Sequence, residues 1–133
     1  MGGRGQFRDP LRKIKEKIAQ GKLSKTVNPD SHNKHVEGTR QYDDYYKSKT
    51  NKKLGPPSII DLDVEEVQGL VDALLKGLYD RNIISVEGNK VYADFGFEIG
   101  KIVFKDKTSI PTNVGLVSFS RTGAHISPAG KKP

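Results

Sequence analysis

The spacing of apolar residues changes from a helical repeat to a strand repeat near residue 80. Before that point one apolar stripe recurs every three or four residues, and it consists of Val64, Val67, Leu70, Val71, Leu74 and Leu75. After it, apolar residues stand in short runs separated by turns, at 83–87, 91–95, 101–104, 116–120 and 124–127. The first pattern is typical of an amphipathic helix and the second of strands. Because tight turns join antiparallel neighbours, the order predicts an α+β domain, with two to three N-terminal helices packed on one face of a four- to five-stranded antiparallel sheet.

Capping residues set the limits of the expected helices, which cover 10–20, 40–49 and 64–76. Asp9, Thr39 and Asp63 each precede one of these helices and can accept a hydrogen bond from its first turn. Asp63 also begins an Asp-x-x-Glu pattern that resembles a capping box. The expected loops are 24–33 and 51–58, which are polar or rich in glycine and proline.

Positive charge is concentrated in the first half of the chain. Residues 1–55 contain 14 Lys and Arg against 6 Asp and Glu, whereas residues 56–133 contain 9 against 10. A localised basic surface is typical of a protein that binds a polyanion, and the alternative is a solvated basic helix. The expected organisation is a basic arm with a short amphipathic helix at 1–30, a domain at 31–130 and a tail at 131–133. Residues 1–8 should be disordered.

The lack of cysteine and of long apolar stretches excludes several classes of protein. The chain of 133 residues has no Cys, so it has no disulfide framework, thiolate metal site or Cys nucleophile. Its apolar stretches are far shorter than the ~20 residues of a membrane-spanning helix, and its first ten residues lack the apolar segment of a signal peptide. We therefore expect no membrane partner and no signal peptide, so that another factor must carry the protein if it leaves its cell.

Two histidines lie in short polar, glycine-containing segments at opposite ends of the expected domain. His35 is in SHNKHVEGT (31–39), and His125 is in SFSRTGAHISP (118–128). Two imidazoles brought together can cleave RNA without a metal, because one accepts a proton while the other donates one. His125 should face away from the core if Ile126 faces into it. The alternative for His35 is a solvent-exposed histidine in a polar loop.

Three segments resemble the polymorphic toxin type 50 domain, in the barnase/EndoU/colicin/RelE group of ribonuclease folds. They are KHVEGT (34–39), VYADFGFEIGKIV (91–103) and IPTNVGLVSFSRTGAHISPAG (110–130). The positions that match the family pattern are Lys34, His35, Gly38, Thr39, Gly123, His125 and Pro128. The chain departs from it at Ala124, where the family has Thr, although Thr122 and Ser120 lie close enough to supply a hydroxyl. The resemblance implies a ribonuclease toxin that is delivered by secretion or by a phage, or encoded in a prophage, that acts in the cytoplasm and that is paired with an immunity protein. The histidine pair predicts that RNA is cleaved by 2′-hydroxyl attack without a metal.

The resemblance and the chemistry of the residues together give the candidate site. The catalytic candidates are His35, His125, Thr122 and Ser120, and either histidine can be the base. The substrate-binding candidates are Lys34, Thr39, Arg40, Tyr42 and Arg121. Cations pair with phosphates, hydroxyls donate to them, and tyrosines stack on bases. We expect no cofactor and no metal; the alternative metal ligands are Asp30, His32, His35 and His125.

The expected partners are RNA, with tRNA among the candidates, and an acidic immunity protein that covers the histidine face. The chain should be a monomer. The main alternative is a non-catalytic basic nucleic-acid-binding or phage-associated structural protein, in which the same charges contact phosphates and the histidines have no role. Tyr42, Tyr45 and Tyr46 fit either function, or they pack into the core with their hydroxyls outward.

Overall fold

A computed structural model describes residues 9–130, in which helices are followed by antiparallel strands. The α-helices are α1 (Arg12–Ala19), α2 (Pro29–Asn33), α3 (Arg40–Asn51) and α4 (Val64–Leu75). The strands are β1 (Ile59–Ile60), β2 (Ile84–Glu87), β3 (Lys90–Asp94), β4 (Gly100–Val103), β5 (Ser109–Thr112), β6 (Val114–Ser120) and β7 (Gly123–Pro128). They form two antiparallel sheets, with strand orders β1-β4-β5 and β2-β3-β6-β7. The α+β class is confirmed, while residues 1–8 and the tail at 131–133 lie outside the described residues.

The three long helices begin close to the residues that the capping patterns indicate. The Thr39 hydroxyl accepts a hydrogen bond from the Tyr42 backbone N–H at 3.0 Å. Asp63 and Glu66 form a reciprocal capping box, with hydrogen bonds of 2.8 and 3.1 Å. Asp9 accepts from the Leu11 N–H at 2.8 Å, one residue before α1 begins. Each cap satisfies an N–H that has no partner within its helix.

Three short elements lie where the sequence indicates loops or gives no signal. The expected loop at 24–33 contains α2, which Asn28 caps by accepting hydrogen bonds from the next turn. Five residues are too few for a helical repeat to be visible. β1 has only two residues, and β5 contains Pro111, a residue typical of edge strands. β1, β4 and β5 together make the second sheet.

The core lies between α4 and one face of the four-stranded sheet. Its central side chains are Val67, Val71 and Leu74 of α4, Val91 and Ala93 of β3, Val117 and Phe119 of β6, and Ala124 and Ile126 of β7. Leu11 and Ile14 belong to the same cluster, with only 2% and 1% of their surface exposed. The amphipathic helix of the N-terminal arm is therefore packed on the same core as the sheet.

The outer edge of β7 is covered by the segment 24–28, which leads the chain to the candidate site. Ser24 and Val27 form isolated bridges with Ser120 and Ala124. Gly123 has φ of +144°, and a Cβ there would lie 2.7 Å from the Asn28 Cβ and 2.9 Å from the Thr26 carbonyl oxygen. Glycine is required here by the backbone conformation and by the close approach of the two segments.

The face of the four-stranded sheet opposite the core carries mostly polar side chains, because residues alternate along each strand. This open face consists of His125 and Ser127 of β7, Leu116 and Ser118 of β6, Lys90 and Tyr92 of β3, and Ser85 and Glu87 of β2. His125 is paired directly with Ser118, and Ser118 with Lys90. An imidazole, a hydroxyl and an ammonium group therefore form one row across three strands.

Candidate active site

His35 is held in a fixed orientation by hydrogen bonds to Ser58, which precedes β1, and to Ser127 of β7. It follows α2, and only 5% of its surface is exposed. Its Nδ1 lies 2.9 Å from the carbonyl oxygen of Ser58, and its own carbonyl accepts from the Ile60 N–H at 2.9 Å. Because a carbonyl can only accept, Nδ1 carries the proton in the neutral ring. The other nitrogen, Nε2, is then an acceptor and lies 3.1 Å from the Ser127 hydroxyl, which donates to it.

His125 lies on the open face because its neighbours on β7 point into the core. Ala124 and Ile126 are fully buried, whereas the His125 side chain is half-buried on the opposite side. The strand alternation predicts this orientation. Ser118 is the residue directly across the β6–β7 pair, so its hydroxyl is presented beside the imidazole.

Folding brings the two histidines side by side. Their ring centroids are 6.0 Å apart, and the ring planes differ by only 16°. The edge of Tyr45 packs against His35, with centroids 5.7 Å apart and planes at 76°. The ammonium groups of Lys34 and Lys49 lie 5.7 and 5.3 Å from the Tyr45 ring centroid, within cation–π range. The pair is thus flanked by an aromatic ring that carries two cations.

The surroundings of both imidazoles disfavour their protonated forms. The pKa of His125 is lowered to about 4. Burial is the largest cause, and repulsion by positive charge on His35 and Lys34 follows. Lys90 on the open face acts in the same direction. Burial also lowers the pKa of His35, and Lys49 adds to the effect, although the Ser58 carbonyl opposes it. The site is therefore neutral at its centre and cationic around it, which suits an anionic ligand.

His32 is a third buried imidazole, on α2, with 3% of its surface exposed. Its Nδ1 has no hydrogen-bond partner among the described residues. Burial lowers its pKa, while Asp63 and the backbone of Leu62 act in the opposite direction. A positive charge on His32 would repel one on His35 or His125.

The remaining predicted site residues occupy three separate places. Lys34 lies beside Tyr45 and the histidine pair, and Arg40 is exposed at the first residue of α3. The Thr39 hydroxyl is committed to its own turn, where it donates to the Asn33 carbonyl at 2.7 Å and caps α3. Tyr42 lines a different groove, between α3 and the three-stranded sheet.

The predicted hydroxyls lie in the turn between β6 and β7. Ser120 Oγ lies 3.1 Å from Thr122 Oγ1 and donates to the Gly123 carbonyl at 3.0 Å. Ser120, Arg121 and Thr122 are exposed, and Ser120 is two residues along β6 from the position opposite His125. Ala124 points into the core, so a hydroxyl at this position would face away from the imidazole.

Several polar groups close to the histidine pair are not among the predicted residues; they are Ser58, Ser118, Ser127, Lys49 and Lys90. Ser118 has a signal in the sequence, because a two-residue turn at 121–122 pairs 120 with 123 and therefore 118 with 125. The Ser58 contact is made by a backbone carbonyl and has no residue signature.

No group of three or more His, Asp or Glu within residues 9–130 could hold a metal ion. The alternative metal set of Asp30, His32, His35 and His125 therefore does not come together as a metal site in this part of the chain. None of the helices in the same part of the chain is long and apolar enough to cross a membrane.

The fold and the site define an α+β domain in which a buried and a half-buried imidazole, flanked by cations, lie beside an open sheet face. Residues 27–128 match the model of the family described as bacterial toxin 50. The match covers most of the chain, so this protein belongs to the bacterial toxin 50 family and the sequence resemblance is confirmed. Membership of a toxin family suggests an immunity protein as a partner. A search of curated proteins finds no match.

Proposed function

We propose that this toxin domain is a metal-independent endoribonuclease in which His35 and His125 are the acid–base pair. The observation that carries the proposal is the parallel arrangement of the two rings, 6.0 Å apart, with lysines around them. In the proposed complex one phosphodiester lies across the edges of the two rings, so that its attacking and leaving oxygens each meet one ring. Both the charge and the geometry of the site fit a phosphate that gains negative charge during the reaction.

His125 acts as the general base. Its lowered pKa keeps the imidazole neutral near pH 7, so it can accept the proton of the 2′-hydroxyl. The 2′-oxygen then attacks the neighbouring phosphorus. Lys90 and the Ser118 hydroxyl, in the same row of the open face, stabilise the charge that develops on the phosphoryl oxygens.

His35 acts as the general acid, and the Ser127 hydroxyl, which donates to Nε2 of the neutral ring, no longer does so once Nε2 is protonated. The phosphate anion favours the protonated form of His35, whose Nδ1–H remains bound to the Ser58 carbonyl. Nε2–H then protonates the 5′-oxygen as the bond from phosphorus to that oxygen breaks. The products are a 2′,3′-cyclic phosphate and a 5′-hydroxyl, and water is not consumed in this step.

The substrate is held by cations and rings that flank the pair. Lys34 and Arg40 contact phosphates, Tyr42 contacts a base, and Arg121 pairs with a neighbouring phosphate at the β6–β7 turn. Ser120 and Thr122 donate hydrogen bonds at the same turn, while Thr39 supports the site by capping α3. An acidic immunity protein that covers this surface would block the substrate in the cytoplasm where the toxin acts.

Cleavage of a labelled single-stranded RNA in excess chelator tests the proposal. The wild-type protein should cleave it to cyclic-phosphate products, and His125→Asn and His35→Gln should each reduce the rate by at least about 100-fold. Ser85→Ala, which changes a residue of the open face two strands from Ser118, is the matched control and should retain the wild-type rate. Circular dichroism checks that each variant is folded.

Two outcomes would contradict the proposed ribonuclease function. Full cleavage by both histidine variants would remove the acid–base pair from the mechanism. RNA that is bound but left intact by the wild-type protein would instead indicate the non-catalytic nucleic-acid-binding function.

A further inference from the structure

A groove lies between α3 and the three-stranded sheet. It has a volume of about 260 Å³. The polar and aromatic residues that line it include Glu37, Tyr42, Tyr46, Lys101 and Lys107. Tyr42 and Tyr46 are neighbours one helical turn apart, with ring centroids 6.0 Å apart and planes tilted by 54°. The groove therefore combines an aromatic wall with one carboxylate and two ammonium groups.

The groove and the histidine pair share the same two backbone segments. Glu37 is two residues from His35, so their Cα atoms are at most about 7 Å apart. On the other side, Ser58 binds the His35 ring and the next residue, Ile59, lines the groove. A nucleotide adjacent to the cleaved phosphodiester would therefore reach the groove.

We propose that this groove binds a guanine base of the RNA substrate, beside the phosphodiester held by the histidine pair. This inference rests on the proposed ribonuclease function and adds a base preference to it. Glu37 is the recognition residue, the tyrosines form the stacking wall, and Lys101 and Lys107, which also line the groove, pair with the acceptors O6 and N7.

The Glu37 carboxylate has the hydrogen-bonding capacity that guanine requires. It is exposed at the groove and makes no hydrogen bond or salt bridge with any residue in 9–130. An ionised carboxylate has two acceptor oxygens and no donor. Guanine presents two adjacent donors, N1–H and the N2 amino group, on its Watson–Crick edge. The match is bidentate and leaves neither oxygen without a partner.

The other three bases fit this carboxylate less well. Adenine and cytosine each place a ring-nitrogen acceptor beside their amino donor, and that acceptor would face the second carboxylate oxygen. Uracil has a single N–H between two carbonyl acceptors. Each of these bases would therefore bring lone pairs against a negative charge, which is unfavourable.

The lysines and tyrosines complete the fit to guanine. Guanine O6 and N7 are both acceptors, and lysine is a common partner for this pair of atoms. Base–aromatic stacking contributes to binding for every base, so the tyrosines add affinity without selecting among bases. Burial raises the pKa of Tyr42 and the Glu37 carboxylate raises it further, because this negative charge lies within electrostatic range of the phenol.

Binding of 5′-guanosine and 5′-adenosine monophosphate to the cleavage-impaired His125→Asn protein tests the proposal. The guanosine nucleotide should bind at least about tenfold more tightly, as expected for one bidentate contact. Adding Glu37→Gln should remove the preference, because the Gln amide turns a donor toward the guanine donors. Glu65→Gln, an equivalent change at an exposed position in the first turn of α4, is the matched control and should keep the preference.

Cleavage of short RNAs that contain one G, A, C or U in a fixed context gives the second readout. The wild-type and Glu65→Gln proteins should cut beside G at least about tenfold faster than beside the other bases, and Glu37→Gln should not discriminate. Equal binding of both nucleotides, or a preference unchanged in Glu37→Gln, would overturn the guanine site. Cleavage that needs both histidines but shows no base preference would overturn the site and leave the ribonuclease intact. A guanine preference in binding without any RNA cleavage would keep the site and overturn the ribonuclease.

Discussion

At the scale of single residues, the two central imidazoles are kept neutral by burial and by positive neighbours. For His125, burial is followed by repulsion from His35 and from lysines, whereas for His35 burial is opposed by the hydrogen bond to Ser58. This difference in surroundings supports the roles that we propose, with His125 as the base and His35 as the acid. Repulsion of this kind is removed when an anion enters the site.

An anion bound beside the two rings should therefore raise the pKa of His125. In the empty protein this pKa is about 4. An opposite charge within hydrogen-bonding distance typically shifts a pKa by about one to three units. We expect a rise of at least about one unit on saturation with inorganic phosphate, measured from the C2–H chemical shift in a proton NMR titration. A His125 pKa that is the same with and without phosphate would mean that the anion binds elsewhere.

Two lysine variants provide the control for this titration. Removing the charge on the open face with Lys90→Ala should raise the His125 pKa slightly in the empty protein, because a positive neighbour is lost. Lys13→Ala removes an exposed charge from α1 and should leave the His125 pKa unchanged.

At the scale of elements, β7 contributes side chains to the core and to the candidate site, and its edge binds the segment 24–28. Ile126 is buried in the core, while His125 and Ser127 lie on the open face. Its edge binds the segment 24–28, in which the Asn28 N–H donates to the Ala124 carbonyl at 2.8 Å. His35 follows a few residues later, so the position of its imidazole depends on how the segment 24–28 packs against β7.

Gly123→Ala should destabilise the protein and displace His35. The new Cβ would lie 2.7 Å from the Asn28 Cβ, and the backbone would keep a φ of +144° that alanine rarely adopts. We expect the free energy of unfolding to fall by about 2 to 3 kcal/mol, from strain and overpacking together. Urea unfolding followed by circular dichroism measures the change. Full stability in this variant would show that 24–28 is not fixed against β7.

Gly69→Ala is the matched control for the same substitution at an open position. Gly69 lies in α4, and nothing within 4 Å would contact an added Cβ. The variant should be more stable by about 0.5 to 1 kcal/mol, because alanine has the higher helix propensity.

The elements with a clear repeat or a side-chain cap could be predicted from the sequence, and the contacts between distant segments could not. Thr39 and Asp63 identify helix starts because each cap is local, and alternation around Ile126 indicates which way His125 faces. The burial of His35 could not be predicted in this way. It depends on the Ser58 carbonyl next to a two-residue strand, and neither a carbonyl nor so short a strand has a sequence signature.

At the scale of the whole molecule, both halves of the chain contribute charged residues to the site around the imidazole pair. Lys34 and Lys49 come from the basic first half, whereas Lys90 and His125 come from the second half, which has no excess of positive charge. The charge asymmetry of the sequence indicates a polyanion partner. Only the fold shows that the charges of the two halves meet around a single imidazole pair.

The three buried or half-buried histidines of this site and its surroundings should make the stability of the whole protein depend on pH in the mildly acidic range. His32, His35 and His125 all have a lower pKa in the folded protein than the ordinary value of 6.5, so the unfolded chain binds more protons as the pH falls. Their contribution to the free energy of unfolding is fully present above about pH 6.5 and is lost progressively toward pH 4. Since His125 is partly exposed, we expect it to account for a loss of about 1 to 2 kcal/mol between pH 7 and pH 5. Urea unfolding at the two pH values measures the loss, and His125→Asn should reduce it. A free energy of unfolding that rises or stays constant over this interval would contradict the burial of neutral imidazoles, because protonation of the unfolded chain alone must lower it.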